Sequence, residues 1–200
     1  MLETIQSLFW DKGYAATSVD DIMKSTGLGK GSLYAAYGAK EDMYLLAFTD
    51  YCAWAVEDAK ERLLGDDENA LARLRKYVRA SAKGAATSRR GCMLAKGTAE
   101  LGGRFPDVDN VIEKTFKAIE GAILDCVRQA QRAGDIESNR DPKMIAATIL
   151  AAARGMEALG VAGASSASLS LVAQGVLSLL TPAAADISVG TDAARPPRSS

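Results

Sequence analysis

The sequence predicts an all-α protein with a small three-helix head over residues 1–39 and a larger helical bundle after it. Three observations predict this class. Apolar residues recur at helical spacing in nearly every segment, and almost no segment alternates apolar and polar residues as a half-buried strand does. Glycine or proline separates the apolar-periodic segments. Hydrophobic residues make up 48% of the 200 residues and charged residues 24%, which is ordinary for a folded chain.

The head is predicted to consist of three short helices. The first ends at Gly13, a residue that often stops a helix. Ser18 with Asp21 forms a capping-box pattern at the start of the second helix, and glycines at 27 and 29 end it near residue 25. The third helix runs from residue 30 to 37 and ends at Gly38. The second and third helices, joined by a glycine-containing turn, form a helix-turn-helix pattern.

The bundle is predicted to contain six longer or more apolar helices. One of them begins at Phe105-Pro106, keeps an apolar stripe for six turns and ends at Gly134. Another begins at Asp141-Pro142, because aspartate caps helices and proline fits the first helical position. The tail at 181–200 has three prolines and no apolar period, so we predict that it is disordered. The predicted helices of the bundle span residues 41–64, 69–86, 92–101, about 106–133, 141–163 and 168–180, within a domain at 40–180.

The residue types exclude several classes of site. The chain has no histidine, so histidine acid–base catalysis, Ser-His-Asp or Cys-His nucleophiles and histidine-ligated metal sites are excluded. Three widely spaced cysteines fit a reducing cytoplasm better than a disulfide framework. No apolar run approaches the roughly 20 residues of a membrane span. We therefore expect a cytoplasmic protein with no membrane segment, metal or cofactor.

The first quarter of the chain resembles the DNA-binding head of the tetracycline-repressor (TetR/AcrR) family of transcription regulators. The resemblance depends on many positions at once, and the remaining helices are similar to the family only in number and order. The positions that carry it are Phe9, Gly13-Tyr14, Thr17, Ile22, Gly27, Lys30-Gly31-Ser32-Leu33-Tyr34, Tyr37 and Lys40-Glu41.

The resemblance implies a set of DNA-contacting residues on and around the third helix. This short helix would lie in a major groove, with Lys30 and the backbone near Gly31 at a phosphate. Ser32 would contact a base edge or phosphate, and Tyr34 a phosphate. Each of these residues also has an alternative role without DNA: Thr17 as a helix cap, and the lysines as solvated surface charges. The implied contacts are Thr17, Lys30, Gly31, Ser32, Tyr34, Ala35, Ala36 and Lys40.

Two features of the head depart from the family pattern. Ala36 stands where the family often has histidine or another polar residue, which removes one hydrogen bond to DNA. Residues 1–45 contain four lysines, no arginine and six acidic residues, a net charge of −2. So acidic a head predicts weak DNA binding unless the protein dimerises or the sequence lacks its true upstream start.

The resemblance also implies a small molecule held within the bundle. The candidate lining residues are aromatic or sulfur-containing, which suits a mostly apolar ligand. Ordinary core packing is the alternative for each of them. Cys92 follows Arg89-Arg90 near a helix start, a setting that predicts a lowered thiol pKa and a redox- or electrophile-sensing role, with a buried structural thiol as the alternative. The candidates are Tyr51, Trp54, Cys92, Met93 and Phe116.

The helices at 141–163 and 168–180 are predicted to form a homodimer. Small residues permit close approach, and Ile149, Met156, Leu169, Val172 and Val176 would supply an apolar seam. Twofold symmetry then requires a near-palindromic double-stranded operator.

The sequence therefore favours a ligand-responsive DNA-binding regulator, a repressor released by a small molecule. The first alternative is an all-α small-molecule-binding protein whose head does not bind DNA, which the acidic head favours. The second is an enzyme that uses carboxylates such as Glu100 with Asp125, or Cys92, but no spacing in the sequence supports such a site.

Overall fold

A computed structural model describes residues 1–88 and 90–180, and these residues form an all-α protein without a strand. A single 3₁₀ turn, Asp67–Asn69, precedes the fifth α-helix. The predicted tail at 181–200 and Arg89 lie outside the described residues. The α-helices are α1 (Leu2–Lys12), α2 (Val19–Thr26), α3 (Lys30–Tyr37), α4 (Lys40–Leu63), α5 (Ala70–Thr87), α6 (Met93–Leu101), α7 (Pro106–Arg132), α8 (Pro142–Val161) and α9 (Ser166–Ser178).

The predicted helices all occur, with ends that differ by at most two residues. The largest difference lies at α9, which begins at Ser166 because the Ser165 side chain accepts a hydrogen bond from the Ser168 backbone and caps it. Asp141 caps α8 in the same way through the backbone N–H of Lys143, and Pro106 stands at the start of α7, as predicted.

One continuous core joins the head to the bundle. Long helix α4 runs from the head into the bundle, where it packs along α7, while α5 packs against α7, α8 and α9. In the head, Ile5, Ile22 and Leu33 are fully buried, one from each of the three helices. Because α1 also packs against α4, the position of the head depends on the packing of the bundle.

Helix α8 is long and strongly apolar. By length and composition alone it is long and apolar enough to cross a membrane, with a mean hydropathy of 1.4 over its most apolar window. A third of that window is buried inside the protein. In the fold it packs against α5, α7 and α9. It also carries an ion pair, Arg154 with Glu157, on the side that faces a cavity.

Candidate DNA-binding surface and effector cavity

Local capping builds the helix-turn-helix of the head. Ser18 Oγ accepts from the Asp21 backbone at 3.0 Å, and Asp21 Oδ2 accepts from the Ser18 backbone at 3.0 Å, which is the predicted capping box. These bonds, aided by Lys12, lower the pKa of the Asp21 carboxyl to about 2. Helix α2 ends at Gly27 in a left-handed conformation (φ 72°) that favours glycine, and Gly29 begins α3.

Helix α3 buries Leu33, partly buries Tyr37 and exposes its other six residues. Leu33 is fully buried against the head, while the opposite face is open to solvent. Gly31 has no positive φ, and a Cβ there would meet no atom within 4 Å, so the fold itself does not require glycine. The exposed residues include Lys30, Gly31, Ser32, Tyr34, Ala35 and Ala36, which are six of the eight predicted DNA contacts.

The other two predicted contacts, Thr17 and Lys40, are less exposed than these six. Thr17 is fully buried, and its hydroxyl donates to the Gly13 carbonyl at 2.7 Å, so the structure contradicts a phosphate contact by its side chain. Ser18, not Thr17, is the cap of α2. Lys40 is partly exposed at the start of α4, where its Nζ lies 4.4 Å from the centre of the Tyr14 ring.

Two of the six acidic residues in the first 45 positions are paired with cations. Lys12 Nζ lies 3.2 Å from Asp21 Oδ1 within the head. Asp11 is paired with Arg90, whose Nε lies 2.6 Å from Asp11 Oδ1 and which belongs to the loop between α5 and α6. The bundle therefore contributes a positive charge to the acidic head. Sequence reasoning missed this contact, because the two residues are far apart in the chain.

The joint between the head and the bundle is made by the loop before α6 and by α6 itself. The carboxylate of Glu100 accepts from the backbone N–H groups of Tyr14 at 2.8 Å and Ala15 at 2.6 Å. Lys96 Nζ donates to the Trp10 carbonyl at 2.9 Å, and the Trp10 indole donates to the Gly91 carbonyl at 3.0 Å. Polar contacts from α6 and the loop before it therefore hold the C-terminal end of α1 and the turn that follows it.

A cavity of about 310 Å³ lies beside this joint, lined by α1, α4, α5, α7 and α8 and by the loop before α6. Among the five predicted lining residues, Tyr51, Trp54 and Cys92 line this cavity. Met93 and Phe116 do not line it: Met93 is buried in the core, and Phe116 is partly buried on α7. Helical spacing placed both on apolar faces, but only tertiary packing decides which apolar face borders a space. Trp10, Tyr77, Arg154 and Glu157 also line the cavity and were not predicted.

The inner end of the cavity carries an ion pair. Arg154 Nη2 lies 3.0 Å from Glu157 Oε1, and about a fifth of each side chain is exposed. Arg154 Nη1 also donates to Cys92 Sγ at 3.3 Å, and the Tyr51 hydroxyl donates to the same sulfur at 3.4 Å. The sequence signal for this ion pair is Arg154 and Glu157, two charged residues three positions apart in the apolar C-terminal half of α8.

The structure contradicts the predicted lowering of the Cys92 pKa. Burial raises the pKa of this thiol, and Glu157 raises it further, against the opposing effect of Arg154. Arg90, one of the two arginines that precede Cys92 in the sequence, pairs with Asp11 instead, and Lys96, one turn after Cys92, bonds to Trp10. Cys92 is therefore a buried thiol at the cavity wall rather than a thiolate.

The outer face of α8 and α9 is apolar and made largely of small residues. Met144, Leu159 and Leu171 are each about half exposed or more. Four of the five residues predicted to form the dimer seam, Ile149, Met156, Leu169 and Val176, are buried inside the protomer instead, and only Val172 is partly exposed. The seam prediction was wrong for these four because the more apolar stripe of each helix packs into its own subunit.

The carboxylates considered for catalysis serve other contacts. Glu100 is bonded to the head, and Asp125 lies 3.7 Å from Arg128 on the exposed side of α7. Within residues 1–88 and 90–180, no group of three or more cysteine, aspartate or glutamate residues is arranged to hold a metal ion.

Both parts of the chain match known protein families. Residues 2–47 match the family of bacterial regulatory proteins called the tetR family, and residues 70–175 match the tetracyclin repressor-like C-terminal domain. The chain is 28% identical over 138 residues to the transcriptional regulator AcuR of Cereibacter sphaeroides, a match over 68% of this chain but 63% of AcuR. It is 25% identical to the transcriptional repressor ComR of Escherichia coli, over 89% of this chain and 86% of ComR.

Solved structures share the fold. A TetR transcriptional regulator from Chloroflexus aurantiacus superposes with a TM-score of 0.78 at 23% identity, over 88% of this chain and 90% of that one. A cysteine mutant of the regulator CifR, solved with a 26-base-pair operator DNA, superposes with a TM-score of 0.70 at 21% identity, over 90% and 94%. The head, the bundle and both family matches agree, and the chain belongs to the TetR family of DNA-binding transcriptional regulators.

Proposed function

We propose that this protein is a homodimeric repressor that binds a near-palindromic operator and leaves it when a small molecule occupies the cavity. The observation that carries the proposal is that Trp10, on the first helix of the DNA-binding head, is itself a wall of the cavity. An occupant therefore touches the head directly. We infer that the protein works in the cytoplasm, where its operator lies.

We assign DNA contact to the exposed face of α3 and its flanks. Lys30 and Lys40 would contact phosphates, while Ser32 and Tyr34 would bond to phosphates or base edges. Gly31 supports this assignment, because the open space above it leaves room for a close backbone approach to the DNA. Ala35 and Ala36 would contact only thymine methyls or the sugar wall.

We assign the dimer interface to the outer face of α8 and α9. Burial of this face in a second copy would cover Met144, Leu159 and Leu171, and the exposed alanines and glycines between them permit close helix approach. The pairing would also cover the apolar surface that makes α8 resemble a membrane span. A twofold pair of heads then requires an operator with two related half-sites.

Ligand binding would alter the head through two helices. Tyr51 and Trp54 belong to α4, whose first residue is Lys40, and Trp10 belongs to α1. An occupant that separates Trp10 from Tyr51, whose ring centres lie 4.7 Å apart, would shift α1 relative to α4. The ligand acts as an inducer only to the extent that it binds this shifted state better than the operator-bound state.

DNA binding is tested by a salt series with DNA from the upstream region of the protein's own gene. We expect specific binding that falls at least tenfold in both Tyr34→Ala and Lys30→Ala. Lys117→Ala, an exposed lysine on α7, is the matched control and should bind as the parent does. Equal binding to random DNA, unchanged in the α3 variants, would support instead the small-molecule-binding protein with a head that does not bind DNA.

The dimer is tested by sedimentation of Leu171→Asp, since Leu171 is 67% exposed on the proposed interface. We expect this variant to sediment as a monomer and the parent as a dimer. Leu64→Asp is the control, because Leu64 is 70% exposed at the far end of α4. A dimer that persists in Leu171→Asp would move the interface to another face.

A further inference from the structure

The charged residues that line the cavity balance one another. The mouth carries Asp58 and Arg62, whose Oδ2 and Nε atoms lie 2.7 Å apart. The inner end carries Arg154 and Glu157, 3.0 Å apart. The described lining therefore contains two cations and two anions, each paired with its neighbour on the same helix, and has no net charge.

This balance disfavours a charged ligand. An anion would have to compete with Glu157 for Arg154, and a cation would have to compete with Arg62 or Arg154 for the carboxylates. In either case one charge of a partly buried pair loses its partner, which is costly in a site removed from water. An uncharged ligand leaves both pairs intact.

The walls favour a flat ligand of two fused rings. Trp10 and Tyr51 meet edge to face at 4.7 Å, and Tyr51 and Trp54 lie 5.6 Å apart at 49°. Trp54 is 56% exposed, so a flat occupant would cover an aromatic surface that is now open to water. A cavity of about 150 Å³ holds benzene, and this cavity, at about 310 Å³, has room for a second ring.

The ion pair at the inner end has hydrogen-bonding capacity to spare. The guanidinium of Arg154 has five N–H donors, and its contacts with Glu157 and Cys92 use two of them. The exposed part of the pair, about a fifth of each side chain, offers a donor and an acceptor on neighbouring groups. A ligand that satisfies both must present an acceptor and a donor on one edge, as a primary amide or a lactam does.

We propose that the cavity binds an uncharged, planar, bicyclic molecule with an amide-like edge, which bonds to Arg154 and Glu157 and stacks on Trp54 and Tyr51. This inference rests on the proposed function, because it names the ligand class of the same cavity. It places the polar edge of the ligand at α8 and its rings between α4 and α1.

Three probes of nearly equal shape test the charge preference: naphthalene-2-carboxamide, 2-naphthoate and 2-naphthamidine. Calorimetry measures their binding, and tryptophan fluorescence reports their position, because the only two tryptophans of the chain, Trp10 and Trp54, both line the cavity. We expect the carboxamide to bind at least tenfold more tightly than either charged probe and to change the fluorescence. Equal or tighter binding of a charged probe, or no binding of the carboxamide, overturns the proposal.

A charge variant sharpens the test. In Glu157→Gln the inner end keeps a hydrogen-bonding side chain but gains a net positive charge, so 2-naphthoate should bind at least tenfold more tightly than to the parent. Glu113→Gln, on the exposed side of α7, is the control and should not change the order of the probes. Unchanged naphthoate binding in folded Glu157→Gln contradicts contact with the ion pair.

A surface variant covers the case in which Glu157→Gln does not fold. Trp54→Ala changes a largely exposed side chain, and it should weaken the carboxamide at least fivefold. Unchanged carboxamide affinity in this variant contradicts stacking in the cavity.

Operator binding separates the two proposals. If the probes bind in the expected order but operator affinity is unchanged by the carboxamide, the ligand class is supported and release by that ligand is contradicted. If the protein does not bind its upstream DNA at all, the proposed function fails while the calorimetric order still decides the ligand class.

Discussion

The indole Nε1–H of Trp10 donates a hydrogen bond to the backbone carbonyl of Gly91 at 3.0 Å, and this bond joins the first helix of the DNA-binding head to the wall of the cavity. The Arg90 guanidinium lies 4.1 Å from the centre of the Trp10 ring. Gly91 has a φ of +71°, and the residue after it, Cys92, lines the cavity. Trp10 of the head and Cys92 of the bundle therefore line the same cavity.

Replacing Trp10 with Phe should destabilise the protein by at least about 1 kcal/mol, because an aromatic ring remains while the bond to the Gly91 carbonyl and part of the indole packing are lost. Urea unfolding measures the change. Trp54→Phe is the matched control, since Trp54 is 56% exposed and donates no hydrogen bond shown for the described residues, and it should stay within about 0.5 kcal/mol of the parent. Equal losses in the two variants would contradict a structural role for the bond.

Replacing Gly31 with Ala should separate stability from DNA binding. No atom lies within 4 Å of the added Cβ, and alanine favours the helix, so the free energy of unfolding should rise by up to about 1 kcal/mol. Operator affinity should fall at least tenfold, because the Cβ would occupy the space of the approaching DNA. Thermal unfolding and a DNA-binding titration on one sample measure both. Unchanged operator affinity would show that Gly31 does not face DNA.

Alanine substitutions at two helical glycines should change the free energy of unfolding in opposite directions. A Cβ at Gly160 of α8 would collide with the Ala85 carbonyl of α5, which belongs to the backbone and cannot rotate away, so Gly160→Ala should cost about 1–3 kcal/mol. A Cβ at Gly121 of α7 meets nothing, so Gly121→Ala should stabilise by about 0.5–1 kcal/mol. Urea denaturation compares them. A gain in stability at position 160 would contradict the close packing of α5 and α8.

Stability should fall as the pH rises above about 9. Burial raises the pKa of Cys52 to about 11 from 9.0, and it also raises the pKa of Cys92 and Cys126. Between the unfolded and folded pKa values the unfolded chain has released protons that the native protein keeps, so each pH unit costs about 1.4 kcal/mol per group. Urea unfolding at pH 8.5, 9.5 and 10.5 measures the slope.

The control for this pH series is Cys52→Ala, whose stability should decline less steeply over the same range. The same burial predicts slow alkylation of the native thiols by iodoacetamide at pH 8, compared with the unfolded chain. A stability that does not change up to pH 10.5, or rapid alkylation of Cys92, would show that these thiols are not buried in solution.

The exposed face of α3 was largely predictable, because its information is local. The capping box of Ser18 and Asp21, the glycine turn and the buried Leu33 lie within about 20 residues, and they determine which side of α3 faces outward. Thr17 was the exception. Its hydroxyl bonds to the Gly13 carbonyl, and nothing in the pattern distinguishes a buried threonine before a cap from an exposed one.

The cavity was only partly predictable, because its walls come from five helices and a loop that are far apart in the chain. Tyr51 and Trp54 were found by residue type, whereas Trp10 and Tyr77 were not, and Met93 was assigned to the cavity although it lies in the core. The prediction for Cys92 was wrong for a similar reason. Nearby positive residues suggested a thiolate, but burial of the sulfur outweighs them, and the cation that reaches it is Arg154, 62 residues away.

By itself, the sequence determined the helices, their caps and the family of the head, because helical periodicity, capping and turns depend on residues a few positions apart. Only the tertiary structure decided which apolar stripe faces the core, where a space remains between helices and which charges become paired. These outcomes depend on how α1, α4, α5 and α8 pack together, and packing brings Trp10 to Gly91 and Arg154 to Cys92 across distances in sequence that no local pattern spans.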